Sequence, residues 1–185
     1  MKVFPSDLLD EESLIQAASL GDQRAFEDLF RRYYDMIHAY AYRMCFDAAE
    51  AADLTQETWI KAARHLPSYE GRASFKNWLY AIAHRVVLDA GRRKARQRRL
   101  LERAEIEAQA ETEASSASGA VSESLHRALL SLPWDHRAAV TLVYLEGMNH
   151  REAAKVLGCA ETTVSWRLFQ ARRKLKHVLT TEENG

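Results

Sequence analysis

Apolar positions recur at intervals of three and four along almost the whole chain, the period of helix faces packed against a core. Pro and Gly are few and fall between the periodic segments. The pattern predicts a first helix over Ser13–Leu20, stopped at Gly21. Asp22 is placed to cap a long second helix to about Cys45, with Phe26, Leu29, Phe30, Tyr33, Ile37, Tyr40, Ala41 and Met44 as its stripe. Asp47 and Glu50 have capping-box spacing and open a third helix through Leu66. A loop at Pro67–Gly71 follows. Ser74 then caps a fourth helix from Phe75, whose end blurs into GRRKARQRR.

The pattern then breaks. Ala104–Ser122 (AEIEAQAETEASSASGAVS) has only Ile106 and Val121 as large apolar residues, too little to offset the entropy of ordering. Periodicity resumes with a helix over Glu123–Ser131, a break at Pro133, and a helix over Trp134–Glu146 ended by Gly147. The expected fold is therefore all-α: two small helical domains, 1–99 and 123–185, joined by a flexible linker at 100–122.

Asn149–Leu175 closes the second domain. Asn149 and Glu152 have capping-box spacing, and Ala153, Ala154, Val156 and Leu157 give a short helix its apolar side. Gly158 ends it, and a second helix starts near Glu161. Val164, Leu168, Ala171 and Leu175 face inward; Thr162, Trp166, Phe169, Gln170 and Arg173 face outward, with Arg167, Arg172, Lys174 and Lys176 around them. Helix, Gly-containing turn and basic second helix is the layout of a helix-turn-helix whose second helix enters a DNA major groove. Two packed helices with a solvated charged face remain the plainer alternative.

Composition narrows the picture. The apolar fraction of 47% supports real cores. Net charge is zero, yet the basic residues cluster at Arg92–Arg99 and in the last helix, which points to localised anion binding. Cys45 and Cys159 form no Cys-x-x-Cys pattern, so neither a disulfide framework nor a zinc site is expected. The remaining histidines lack metal-ligand spacing. No phosphate loop or nucleophile motif appears, so no enzyme activity, cofactor or metal is expected. The N-terminus has no signal-peptide core and no apolar run nears membrane-spanning length, so a cytoplasmic protein without membrane insertion is expected.

Two further stretches carry candidate chemistry. On the third helix, Leu54, Thr58 and Ala62 share one face and Asp53, Gln56, Glu57, Ile60 and Arg64 the other. Polar groups around an exposed Ile60 suit a partner-binding face better than a catalytic pair. On the fourth, Phe75, Trp78, Leu79, Ile82 and Val86 align inward. Asn77, Tyr80 and His84 align outward, with Lys76 and Arg85 at the edge. Rings interleaved with cations suit single-stranded nucleic acid. The preceding loop, Ser68–Ser74 with Tyr69 and Arg72, could hold an unstacked base. Arg92, Arg93, Lys94, Arg96, Arg98 and Arg99 would clamp phosphates, setting affinity rather than sequence choice.

These pieces, in this order, resemble the extracytoplasmic function group of sigma-70 family factors of bacterial RNA polymerase, from about Ser13 to Val178. The resemblance is carried by A-F-x-x-L-F-x-x-Y at Ala25–Tyr33, D-L-T-Q-E-T-W at Asp53–Trp59 and F-x-x-W-L-Y-x-I-A at Phe75–Ala83. The second half adds L-P at Leu132–Pro133 followed by R-A-A-V-T-L-V-Y-L-E-G, then E-A-A-K-V-L-G-C and T-V-S-W-R-L-F-Q-A-R-R-K-L.

The resemblance implies an alternative sigma factor that brings core polymerase to promoter −10 and −35 elements. Asp53, Gln56, Glu57 and Ile60 would grip the clamp helices of the β′ subunit, with the β subunit as a further partner. Tyr69, Arg72, Ser74, Lys76, Asn77, Tyr80, His84, Arg85, Arg92 and Arg93 would hold −10 DNA. Arg151, Thr162, Thr163, Ser165, Trp166, Arg167, Phe169, Gln170 and Arg173 would read −35 DNA. The linker would thread the polymerase channels. An anti-sigma factor, often membrane-bound, would hold the protein inactive at the inner membrane; in holoenzyme it would associate with the nucleoid.

The family usually has Asn at Arg85, often a basic residue at Ala81, and a basic residue then Ser at Ser165–Trp166, so promoter preference is expected to be this chain's own. A sigma mimic that only sequesters an anti-sigma factor is the main alternative. An ordinary helix-turn-helix regulator and a nucleic-acid enzyme are further ones.

Overall fold

A computed structural model describes residues 10–104 and 128–182. The expected linker at 100–122 and the start of the helix at 123–131 fall mainly outside the described residues; 128–130 are helical. Among the described residues every regular element is helical. The chain divides at Val86/Val87, inside a helix, into two compact units.

The first unit holds α1 (Glu11–Ser19), α2 (Gln23–Cys45), α3 (Ala48–His65), a 3₁₀ turn (Leu66–Ser68) and the start of α4 (Phe75–Ala104). Short polar side chains set the helix starts by accepting backbone N–H groups left over at each N-terminus. Asp10 accepts from Ser13 N–H at 2.7 Å, which starts α1 two residues before the predicted Ser13. Asp22 accepts from Ala25 N–H and Asp47 from Glu50 N–H. Ser74 Oγ accepts from Asn77 N–H at 3.2 Å, the expected cap of α4. Phe46, with φ 57°, ends α2 in the left-handed region, where most helices place Gly.

The core of this unit joins Leu14, Leu29, Ile37, Met44, Leu66 and Phe75 with Leu79 and Val86. Thr55 and Thr58 are buried on α3, and their hydroxyls donate back to the carbonyls of Ala51 and Leu54 at 2.7 Å each. That local satisfaction lets α3 present polar side chains to an apolar neighbour without a desolvation penalty.

The second unit holds α5 (Trp134–Val140), a π-helical turn (Thr141–Leu145), α6 (His150–Leu157) and α7 (Glu161–Glu182). One continuous helix to Glu146 is expected from sequence; instead Glu146 N–H reaches back to Thr141 at 3.0 Å, a wider turn. Arg137 is buried, and its guanidinium donates to the carbonyls of Leu129, Leu130 and Leu132 at 2.9, 3.0 and 3.3 Å. A cation at the carbonyl end of a helix is favourable and here pins α5 to the turn before it. The predicted capping box at α6 is present in both halves: Glu152 N–H to Asn149 at 3.0 Å and Asn149 N–H to Glu152 at 2.9 Å. Gly158, at φ 62°, allows the tight turn into α7.

Candidate nucleic-acid interface

In the second unit α7 buries Val164, Leu168 and Ala171 against α5 and α6, as the stripe predicts. The opposite face is exposed: Thr162, Trp166, Phe169 and Arg173, with Gln170 half-buried beside them. Trp166 and Phe169 are 55% and 58% exposed. Such apolar surface on a short helical unit marks a contact surface rather than a core.

Two expected members of that face do other work. Arg167 turns inward, pairs with Asp135 at 3.2 Å and donates towards Cys159 Sγ at 3.7 Å, tying α7 to α5. Ser165 Oγ lies 2.9 Å from Nδ1 of His150 on α6 and donates to Glu161 O at 3.2 Å. Arg151 is exposed near Glu161, at 3.9 Å, and Thr163 is half-buried. His136, which the sequence did not single out, packs at a tilt against Trp166 with ring centres 5.4 Å apart. Burial pushes the imidazole pKa of His136 down, with the charges of Arg167 and Lys174 acting the same way and that of Asp135 opposing them.

In the first unit Tyr69 organises the loop before α4. Its hydroxyl donates to Ala73 O at 2.6 Å, and its ring packs on Phe75 and Trp78 at 5.8 and 5.1 Å. A cavity of about 630 Å³ opens between this loop and α1, walled by Tyr69, Gly71, Ala73 and Ser74 and by Glu11 and Gln16. It is wide enough to admit a planar ring, and the Glu11 carboxylate at its edge accepts from the Tyr33 hydroxyl. Arg72 pairs with Glu70, and Arg92 with Asp89 at 3.7 Å; Arg85 and Arg93 are exposed.

The platform on α4 differs from expectation. Tyr80 and His84 are not outward: they are 0% and 4% exposed. Tyr80 packs edge-on to Tyr40 at 5.4 Å, and His84 Nδ1 meets the Tyr40 hydroxyl at 2.9 Å. The buried arc of α4 includes Tyr80, Ala83, His84 and Val87 beside the predicted stripe, because Tyr40 from α2 supplies a polar atom that lets an imidazole be buried. Lys76, half-buried, holds its ammonium 5.9 Å over the Tyr80 ring, and Asn77 is half-buried.

On α3 the two predicted faces are present. Leu54, Thr58 and Ala62 are buried; Asp53, Gln56 and Ile60 are exposed. Glu57 pairs with Lys61 at 2.9 Å. Beside Asp53, Gln56 and Ile60 lies a hollow of about 480 Å³ lined by Phe26, Phe30, Tyr34 and Trp59. The sequence assigned Phe26 and Phe30 to the α2 stripe; their half-exposure, seen only once α2 and α3 are packed, gives the acidic face an aromatic floor.

Among the described residues no three His, Cys, Asp or Glu side chains are placed to hold a metal ion, and no helix is long and apolar enough to cross a membrane.

Residues 29–97 match the sigma-70 region 2 family and residues 122–175 the sigma-70 region 4 family. The chain is 31% identical to the RNA polymerase sigma-H factor of Pseudomonas aeruginosa, over 91% of this chain and 93% of that one. It belongs to the extracytoplasmic function group of the sigma-70 family. It is also 31% identical to the sigma-E factor of Salmonella typhimurium, over 92% and 94% of the two chains. A sigma factor RpoE in complex with the anti-sigma factor NepR, from Bartonella quintana, shares its fold with a TM-score of 0.69 and 27% identity, over 84% of this chain and 96% of that one. For this sigma factor the region 2 match spans α3 and the α4 platform, and the region 4 match ends at Leu175 on α7.

Proposed function

We propose that the protein binds core RNA polymerase through Asp53, Gln56, Glu57 and Ile60 on α3 and carries it to promoters read at two separate elements. The observation that carries this reading is the aromatic hollow between α2 and α3 with Asp53, Gln56 and Ile60 in its lining, which fits a helix with an apolar anchor and a cation to meet Asp53, such as the clamp helices of β′. The loop cavity at Tyr69 takes an unstacked −10 base, and Arg72, Lys76, Asn77, Arg85, Arg92 and Arg93 hold the strand around it. The exposed face of α7, with Thr162, Trp166, Phe169, Gln170 and Arg173, reads the −35 element in the major groove. A linker after the end of α4 at Ala104, rather than from residue 100, would join the two readers, so that placing one raises the effective concentration of the other. An anti-sigma factor is the expected regulatory partner, a reading supported by the NepR complex of the similar RpoE. The protein would act in the cytoplasm, at the nucleoid when in holoenzyme.

Transcription of genomic DNA by purified core polymerase plus this protein tests the reading. Discrete start sites preceded by shared upstream and downstream elements are expected. Tight polymerase binding without any start site would replace the reading by that of a mimic serving only to sequester an anti-sigma factor.

A further inference from the structure

Trp166 is the residue on α7 whose position is hardest to understand from α7 alone. A half-exposed indole on a helix surface has several open rotamers, and a reading side chain must occupy one. The second unit supplies the constraint from another element. His136, on α5, lies 5.4 Å from Trp166 ring centre to ring centre at an interplanar angle of 48°. Both ring nitrogens of His136 are buried without a hydrogen-bond partner, so packing rather than a polar contact holds the ring. The two rings line a cleft of about 560 Å³ together with Leu132, Ala171, Gln170 and Arg173. Burial and the neighbouring cations keep the imidazole neutral near pH 7, which suits it to an aromatic contact rather than a phosphate contact.

We infer that His136 is a positioning residue for promoter choice: its ring fixes the Trp166 indole in one orientation, and that orientation sets which bases α7 accepts. The inference rests on the reading of α7 as the −35 reader. His136 need not touch DNA itself. Its role is to remove the rotamer freedom that would let Trp166 adapt to several sequences, so losing the ring broadens preference rather than simply weakening binding.

The test uses the full-length protein with core polymerase and a promoter library randomised over the upstream element, read by transcript sequencing. Variants are His136→Leu, which keeps apolar volume without a ring, His136→Phe, which keeps a neutral ring, Trp166→Ala, and the His136→Leu/Trp166→Ala double. His136→Leu should relax discrimination at the same library positions as Trp166→Ala, by at least about fivefold in relative enrichment. The double should relax it no further, and His136→Phe should retain the wild-type ranking. In fluorotryptophan-labelled protein, the resonance lost in Trp166→Phe should also shift in His136→Leu.

The inference is overturned if His136→Leu lowers output from all promoters evenly with ranking unchanged. It is also overturned if the double adds the two effects. If Gln170→Ala and Arg173→Ala likewise leave the ranking untouched, the assignment of α7 as reader fails first and takes this inference with it; if they change the ranking and His136→Leu does not, the inference alone fails.

Discussion

The Tyr40 hydroxyl and Nδ1 of His84 lie 2.9 Å apart in the core of the first unit, tying α2 to α4. This pair decides which side chains α4 presents to solvent, because it turns His84 and its neighbour Tyr80 inward. His84→Ala should therefore destabilise the protein by about 1–3 kcal/mol, through the loss of a buried hydrogen bond and of the imidazole's packing. Urea denaturation measures it. Promoter opening should fall only in step with the folded fraction; a fully stable variant defective in opening would contradict the buried placement.

Arg137 joins three backbone carbonyls at Leu129, Leu130 and Leu132 to α5. Arg137→Met should cost about 3 kcal/mol, since hydrogen bonds from a charged donor count for more than neutral ones and the carbonyls lose their partner. Arg137→Lys should recover only part of that, because an ammonium lacks the planar fork that spans several acceptors. Thermal unfolding of the three proteins side by side gives the order.

Asp53 and Gln56 line the aromatic hollow beside α3, and Glu57 on the same helix pairs with Lys61. The double substitution Asp53→Lys/Glu57→Lys should weaken core polymerase binding at least about tenfold, near 1.4 kcal/mol, while leaving far-ultraviolet dichroism unchanged. Ile60→Ala should weaken it separately, through lost apolar contact. Native co-purification at two salt concentrations distinguishes them: the charge reversal responds to salt and the Ile60 change does not.

Gln170 and Arg173 flank the Trp166 cleft on α7. Gln170→Ala should reduce discrimination at one −35 position by about 1–3 kcal/mol if its amide reads a base edge. Arg173→Ala, if its partner is a phosphate, should weaken binding to all sequences evenly and flatten the salt dependence. Fluorescence anisotropy with matched and mismatched duplexes across a salt series sorts the two roles.

His136 gives stability a pH dependence of known sign. Its folded pKa is lowered below the ordinary 6.5, first by burial and then by Arg167 and Lys174 against the opposing charge of Asp135. Below pH 6.5 the unfolded chain takes up a proton that the folded one refuses, so stability falls as pH drops through that value and is fully present above it. His136→Phe should flatten this acid limb, as followed by denaturant midpoints between pH 7.5 and pH 5.5, a range chosen to bracket the imidazole titration.

Sequence by itself determined most of the helices, four of their caps and the family, but not the Asp10 cap of α1 or the π-helical turn after α5. Asp22, Asp47, Ser74 and the Asn149–Glu152 box act within one turn of chain, so local spacing suffices to find them. The inward stripe of α7 and the two faces of α3 were legible for the same reason: a helix that packs on one side writes that side into its period. Only the tertiary structure decided what the ambiguous residues do. Tyr and His fit either a wet face or a satisfied core, and the choice for Tyr80 and His84 was made by Tyr40, forty or more positions away. Arg167 read as charge around the outward face until Asp135 was brought to it, and nothing local in the sequence marks Arg137 for the three carbonyls it meets. Trp166 read as a free outward ring until α5 set His136 against it. Polar and aromatic side chains take their role from partners that lie far off in sequence, and only folding brings those partners within hydrogen-bonding or stacking distance.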